Sequence, residues 1–220
     1  MSSSIFAIIA ARNEERNIYN IIKKTMNYVD KVIVVDDGSV DFTKKEAEKA
    51  GAVVLRHIIN LGKGAALKTG CRHALSRKAD IIVLIDADGQ HKPEDIPKFL
   101  EKLKNNDIVF GIRKRNKNMP LLLRFGNWGI DKVSSILYSI DIPDTQCGFR
   151  AFKADIYKKI KWQSPDYSME SEMVANVGKK NLKYSTVTIS TIYSDKYKGT
   201  TISDGIKIVL NLFWWKLSRK

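Results

Sequence analysis

A chain of 220 residues has room for one domain with a full core, and its composition is that of a globular protein without low-complexity tracts or internal repeats. Its formal net charge of +14 points to an anionic partner: nucleic acid, an anionic membrane surface or a phosphorylated substrate. No apolar run reaches the roughly 20 residues of a membrane span. Residues 1–4 lead into a first strand without the pattern of a signal peptide, and Cys71 and Cys147 stand alone, which favours a reducing compartment.

In chain order, residues 5–11 read as a buried strand broken by Arg12-Asn13-Glu14-Glu15. Asn13 is expected to cap a helix with glutamates in its first turn, because Ile18, Ile21, Ile22 and Met26 then recur at helical spacing. A second strand over 31–35 ends at Asp36-Asp37-Gly38-Ser39, and Asp41 is placed as the cap of the next helix. A third strand over 52–55 is followed by Asn60-Leu61-Gly62-Lys63-Gly64, which opens a helix to about residue 76.

Ile81-Ile82-Val83-Leu84-Ile85 has the unbroken apolar character of a strand covered on both faces. It runs into Asp86-Ala87-Asp88-Gly89-Gln90. Carboxylates are costly to bury, so Asp86 and Asp88 are expected at the exposed C-terminal edge, where open α/β sheets bind ligands. With the amide oxygen of Gln90 they form a hard oxygen set suited to Mg²⁺ or Mn²⁺ holding a substrate's phosphates. A polar strand end that caps a turn is the alternative. A helix from Pro93 and a strand over 107–110 complete a series of βαβ units and a largely parallel sheet, so the fold class is α/β. Every strand of this half ends in polar residues, which gathers them at one edge.

The second half is less regular. It holds a basic loop at 113–118, a helix over 124–139, a short strand ending near Lys153, a helix over 167–177 carrying Glu170 and Glu172, and a last strand over 183–189. A polar loop at 194–201 could fold over a ligand. In the final helix, from about Ser203, the residues Ile206, Val209, Leu210, Phe213 and Leu217 share one face, widened by Ile208, Leu212 and Trp215. Trp214 falls on the opposite face with Lys207, Asn211 and Ser218. A tryptophan there, beside Lys216, Arg219 and Lys220, suits a membrane interface; packing against the rest of the chain is the alternative.

Five segments in order carry a resemblance. They are Ala11-Arg12-Asn13-Glu14-Glu15, Val34-Val35-Asp36-Asp37-Gly38-Ser39-Val40-Asp41, Asn60-Leu61-Gly62-Lys63-Gly64, Asp86-Ala87-Asp88-Gly89-Gln90-His91 and Asp144-Thr145-Gln146-Cys147-Gly148-Phe149-Arg150. The chain resembles a family 2 glycosyltransferase of the GT-A (nucleotide-diphospho-sugar transferase, Rossmann-like) fold. Within it, dolichyl-phosphate mannose synthases and other polyprenyl-phosphate glycosyltransferases are the nearest in pattern. The resemblance implies a single domain over 1–220, with a nucleotide-sugar half at 1–111, an acceptor-side half at 112–202 and an amphipathic helix at 203–220.

It further implies that Asp86, Asp88 and Gln90 hold a divalent cation, Mn²⁺ or Mg²⁺, against the donor diphosphate. Asn13, Glu14, Val34 and Asp36 or Asp37 lie where the family binds base and ribose. Lys63 is expected at phosphate or at a neighbouring carboxylate. Arg113 and Arg124 match positions for an acceptor phosphate, and Lys196 and Lys198 match a loop that closes over the diphosphates. There the chain departs from its relatives, which carry arginine first and Ser-Lys after the glycine; a lysine cannot reproduce the arginine fork. Glu170 and Glu172 lie where other family members place a catalytic base, which only a sugar hydroxyl acceptor would require; Glu172 is favoured as structural or acceptor-positioning and is grouped with Asp88, Arg113 and Arg124 near the reaction.

The implied activity is inverting, metal-dependent transfer of a hexose to a polyprenyl (dolichyl) phosphate, from GDP-mannose or else UDP-glucose, by an enzyme peripheral on the cytoplasmic face of a membrane. A polyprenyl phosphate is its own nucleophile and needs no strong base. A hydroxyl acceptor served by Glu170 or Glu172 is the runner-up. A nucleic-acid-binding domain is disfavoured, because carboxylates gathered at the ligand edge repel a phosphate backbone.

Overall fold

The computed structural model describes residues 3–113, 121–191 and 202–218, with the backbone alone for 121–127 and 202–204. Among the described residues seven strands make one sheet: β1 Ile5–Ala11, β2 Lys31–Asp37, β3 Val53–His57, β4 Ile81–Leu84, β5 Ile108–Arg113, β6 Arg150–Lys153 and β7 Tyr184–Ile189, in the order β3-β2-β1-β4-β6-β5-β7. All neighbours are parallel except β6, which runs antiparallel to both β4 and β5. The largely parallel sheet expected from the βαβ rhythm is present, and β6 is the exception that separates its two parallel blocks.

Helices cover both faces: α1 Ile18–Thr25, α2 Thr43–Lys49, α3 Lys63–Ser76, α4 Ile96–Leu103, α5 Leu121–Tyr138, α6 Tyr157–Ile160, α7 Ser168–Lys179 and α8 Ile202–Leu217. Successive strand residues alternate between two cores. Phe6, Ile8, Ile82 and Leu84 pack with α3, α7 and α8, while Ala7, Ile9, Val83 and Ile85 pack with α1 and α4. Coverage of both faces explains why β1, β2 and β4 read as unbroken apolar runs rather than alternating ones.

Three local expectations need correction. Asn13 is not a helix cap: α1 begins at Ile18, and Asn13 sits at φ 54°, a left-handed conformation that asparagine tolerates. Its side-chain oxygen accepts the Val40 N–H at 3.0 Å instead, which ties the loop after β1 to the loop after β2. Asp41 sits just ahead of α2, whose N-cap is Phe42; its carboxylate accepts from the N–H and hydroxyl of Thr43 at 3.0 and 2.5 Å. The third correction concerns α8. Its buried side is Ile208 and Leu212, with Val209 and Trp215 partly covered. Ile206, Leu210, Phe213 and Leu217, which helical spacing groups with Val209 on one face, are exposed. A helix apolar on more than half its circumference has two candidate faces, and packing on α5 and α7 selected one of them. Among the described residues no helix is long and apolar enough to cross a membrane.

Candidate active site

β1, β2 and β4 lie side by side and end at the same edge, and a cleft of about 600 Å³ opens there. Asn13 and Glu14 line it from the end of β1, Asp37 from β2, Gly62 and Lys63 from the start of α3, and Asp86 and Asp88 from the end of β4. Asp166 and Tyr167, just ahead of α7, supply the opposite wall. Gly62 adopts φ 95°, and a Cβ there would come within 2.5 Å of the Pro165 carbonyl, so glycine lets the two walls meet.

Lys63 organises the charge. Its Nζ lies 2.6 Å from Asp86 Oδ1 and 2.9 Å from Glu170 Oε1. Glu170 is buried, and among the described residues neither of its carboxylate oxygens has a partner in hydrogen-bond geometry, so the Lys63 ion pair, with the nearby Arg150 charge, compensates it. Burial would raise the Asp86 carboxyl, but the Lys63 charge and hydrogen bond overcome it and hold Asp86 down at about 2. Lys63 is in turn raised above the ordinary lysine value, its two carboxylates outweighing burial. Gly148 packs against Asp86: a Cβ there would stand 2.5 Å from Oδ2 and 2.7 Å from Oδ1. Buried His91 has its Nδ1 3.7 Å from Asp86 Oδ2, and burial lowers its pKa to about 4, so the ring is neutral near pH 7.

Asp88 is the opposite case. Burial, reinforced by the neighbouring Asp86 charge, pushes it up to about 6. Among the described residues its carboxylate accepts one hydrogen bond, from the Gln90 N–H at 2.9 Å. A lining carboxylate so weakly compensated fits a hard divalent cation. No described group of three or more His, Cys, Asp or Glu is arranged to hold a metal. A cation of the Mg²⁺ type would need only one or two carboxylates and would complete its shell with water and substrate phosphates. The Gln90 side chain is not among the described lining residues, so the fit rests on Asp88 with Asp86 beside it.

The aspartates that end β2 are held by the chain, although among the described residues Asp36 Oδ2 has no hydrogen-bond partner. Asp37 accepts from the Leu61 and Gly62 N–H groups at 2.9 and 2.8 Å and pairs with His57 Nδ1 at 2.7 Å, so it shapes the loop leading to Lys63. Asp36 is buried, accepts from Ser39 N–H at 2.9 Å and lies 3.4 Å from Arg56 Nε, away from the cleft lining. The Val34 side chain is buried in the sheet. Glu172 accepts from the N–H groups of Gln163 and Ser164 and from the Ser164 hydroxyl at 2.8, 2.9 and 2.6 Å, which fixes the chain ahead of the Asp166–Tyr167 wall. Arg113 makes a two-pronged bond to Asp144, 2.8 Å from Nε and 2.7 Å from Nη2, while its charge is still felt at Asp86 and His91. The side chain of Arg124, and Lys196 and Lys198 entirely, lie outside the described residues.

Residues the pattern did not single out include Asp166 and Tyr167, which precede a helix rather than end a strand, and Asp144 as the clamp on Arg113. Buried Arg150, quoted only as part of a motif, donates to the carbonyls of Cys147, Glu170 and Thr145 at 3.0, 2.9 and 2.7 Å, locking α7 to the Gly148 turn. The paired glycines at 62 and 64 were the available sign that another segment packs there.

Comparisons with known proteins give the family and the fold. The model of "Glycosyl transferase family 2" matches residues 6–161. An uncharacterized protein of Methanocaldococcus jannaschii is 38% identical over 97% of this chain and 92% of its own length. A UDP-N-acetylglucosamine–dolichyl-phosphate N-acetylglucosaminyltransferase of Methanococcus voltae is 34% identical over 98% of this chain and 97% of its own. Among solved structures, glucosyl-3-phosphoglycerate synthase from Mycobacterium tuberculosis with Mn²⁺, uridine diphosphate and phosphoglyceric acid superposes with a TM-score of 0.75 at 18% identity, covering 99% of this chain and 79% of that one. The same enzyme with Mg²⁺ and uridine diphosphate gives 0.75 at 19% identity, over 98% and 79%. That likeness is one of fold, the GT-A fold. With the family matched over most of its length and a carboxylate-lined cleft at the ends of its parallel strands, the chain belongs to glycosyl transferase family 2 and is a glycosyltransferase.

Proposed function

We propose that this enzyme transfers a hexosyl unit from a nucleoside diphosphate sugar to a polyprenyl phosphate. The observation that carries the acceptor class is the engagement of both glutamates a hydroxyl acceptor would need. Glu172 is bound to the chain at residues 163–164, and buried Glu170 is held by Lys63. An acceptor that brings its own nucleophile needs neither: a phosphate monoester is mostly dianionic near pH 7 because its second pKa is about 6. The Methanococcus voltae relative, named for a dolichyl-phosphate acceptor, supports the same reading.

In this reading the donor diphosphate lies at the ends of β1, β2 and β4. Asn13 and Glu14 line the cleft for base and ribose, and Asp37 holds the loop that presents Lys63. Asp88, with Asp86 beside it, would hold Mg²⁺ or Mn²⁺, which when bound neutralises charge growing on the leaving nucleoside diphosphate. Lys63 places a second cation at the same point. Asp144 keeps the Arg113 guanidinium in one orientation, so that it can steer an incoming phosphate toward the face of the sugar opposite the leaving group. Attack from that face inverts the anomeric carbon once. The sugars proposed are mannose from GDP-mannose, glucose from UDP-glucose and, after the Methanococcus voltae relative, N-acetylglucosamine from its UDP donor.

The test is transfer of radiolabel from these three donors to dolichyl phosphate in detergent, with Mn²⁺, Mg²⁺ or EDTA. Metal-dependent label in the lipid fraction from one donor is the expected result. Metal-dependent release of sugar to water with no lipid label from any donor would overturn the acceptor.

A further inference from the structure

His91 closes the segment that carries Asp86 and Asp88, and it is 5% exposed. Its ring is held on several sides. It lies against Phe149 with centroids 5.5 Å apart, and Phe149 stacks on Phe99 at 4.4 Å. Nε2 is 4.0 Å from Cys147 Sγ, and the backbone pairs with Thr191, just beyond β7, in an antiparallel bridge. Among the described residues Nδ1 has no hydrogen-bond partner, and it stands 3.7 Å from Asp86 Oδ2. The other Asp86 oxygen is engaged by Lys63, and Gly148 leaves no room for a side chain beside the carboxylate.

A ring held this firmly presents one fixed donor, and its surroundings decide which nitrogen that is. Burial lowers the His91 pKa to about 4, so near pH 7 a single nitrogen carries the proton. Burial also opposes the charge of Asp86, but Lys63 outweighs it and Asp86 stays ionised. A bare lone pair on Nδ1 would be repelled by that carboxylate, whereas an N–H is attracted. At the other end, burial pushes Cys147 up to about 12, so it remains a thiol whose S–H can donate to a bare Nε2. Both neighbours therefore select the same tautomer, with the proton on Nδ1.

We propose that His91 is a positioning residue: its Nδ1–H, braced by Phe149, Cys147 and Thr191, fixes the Oδ2 side of Asp86 as Lys63 fixes Oδ1, and so sets that carboxylate beside Asp88 for the divalent cation. A movement of roughly 0.5 Å turns the 3.7 Å contact into a full hydrogen bond. His91 thereby keeps Asp86 in place when Lys63 turns to a donor phosphate. The cation is that of the reading above, whereas the pairing of His91 with Asp86 rests on their contacts alone.

The experiment joins two readouts on the full chain. Nitrogen NMR of the imidazoles near pH 8, with the His91 signals identified by their loss in His91→Asn, reads the tautomer. Calorimetric titration of Mn²⁺ in the presence of GDP or UDP reads the cation site in wild type, His91→Asn and His91→Leu. Asparagine carries an amide nitrogen in the place of Nδ1 and can donate; leucine fills the space without a donor. The expected results are a proton on Nδ1 and Mn²⁺ affinity about tenfold weaker in His91→Leu, the usual loss when the support of a metal ligand is removed. In His91→Asn the affinity should return to within about threefold of wild type. A proton on Nε2 would overturn the proposal. So would equal weakening in folded His91→Asn and His91→Leu, or undiminished affinity in His91→Leu. If His91→Leu does not fold, the tautomer and the His91→Asn affinity decide, a loss of about tenfold or more in His91→Asn counting against. Wild type that binds no Mn²⁺ with either nucleotide would overturn the cation reading instead, and the tautomer would still decide whether His91 pairs with Asp86.

Discussion

Two aspartate pairs end neighbouring regions of the same sheet, Asp36 and Asp37 at the end of β2 and Asp86 and Asp88 after β4, and the protein uses them differently. The β2 pair is engaged by its surroundings: Asp37 by two backbone N–H groups and His57, Asp36 by Ser39 N–H at Oδ1, while among the described residues its Oδ2 has no hydrogen-bond partner and only the Arg56 charge 3.4 Å away. The β4 pair is less so. Asp86 is held by a lysine shared with a second carboxylate, and Asp88 keeps one backbone hydrogen bond and a pKa raised to about 6. A carboxylate whose lone pairs are filled by the chain shapes a loop; one left short of positive charge at a cleft is poised for a ligand that brings it.

The contrast can be broken in four ways. The largest effect is expected from Asp88→Asn, which removes the undercompensated carboxylate: kcat/KM for glycosyl transfer should fall about a thousand-fold, with the fold intact by circular dichroism. Next is Lys63→Met, which leaves Glu170 buried without its counter-charge. It should cost about 3 kcal/mol of stability in denaturant unfolding, and adding Glu170→Gln should recover most of that loss. Asp36→Ala should cost about 2 kcal/mol, by stranding the Ser39 N–H, while leaving KM for the donor within a few-fold in steady-state kinetics.

The smallest effect is a gain. Because the Asp88 pKa is about 6 in the folded protein and 3.8 without the fold, the native state holds this proton more tightly. The cost of its charge is therefore present above pH 6 and fades as pH falls from 6 to 4. Without metal at pH 8, Asp88→Asn should melt about 2–4 °C above wild type, the shift about 1 kcal/mol gives in a chain of this size. The difference should vanish below pH 4 in a series of thermal melts.

Much of this was legible in the sequence because parallel strands covered on both faces must be apolar throughout, so a break in the run marks the edge where polar groups gather. Asp86, Asp88 and Lys63 lie there together, as the pattern of strand ends implied. The reversal of β6 was not legible, since four residues such as Arg150-Ala151-Phe152-Lys153 carry no sign of direction. Nor was the pairing of Arg113 with Asp144, which spans 31 residues. The buried side of α8 was not legible for a different reason: with Ile206, Ile208, Leu210, Leu212 and Phe213 around the helix, periodicity alone could not say which side meets α5 and α7. Asn13 was misread because asparagine suits both a helix cap and a left-handed turn, and the Val40 N–H that decides between them arrives from another loop.

The central claim is that Asp88, and not the β2 pair, is the cation ligand. Calorimetric titration of Mn²⁺ into the protein, with and without a nucleoside diphosphate, tests it most directly in wild type, Asp88→Asn and Asp36→Ala. The account predicts Mn²⁺ binding that strengthens with the nucleoside diphosphate, is lost in Asp88→Asn and is retained in Asp36→Ala. Unchanged binding in Asp88→Asn, or loss of binding in a folded Asp36→Ala protein, would contradict it.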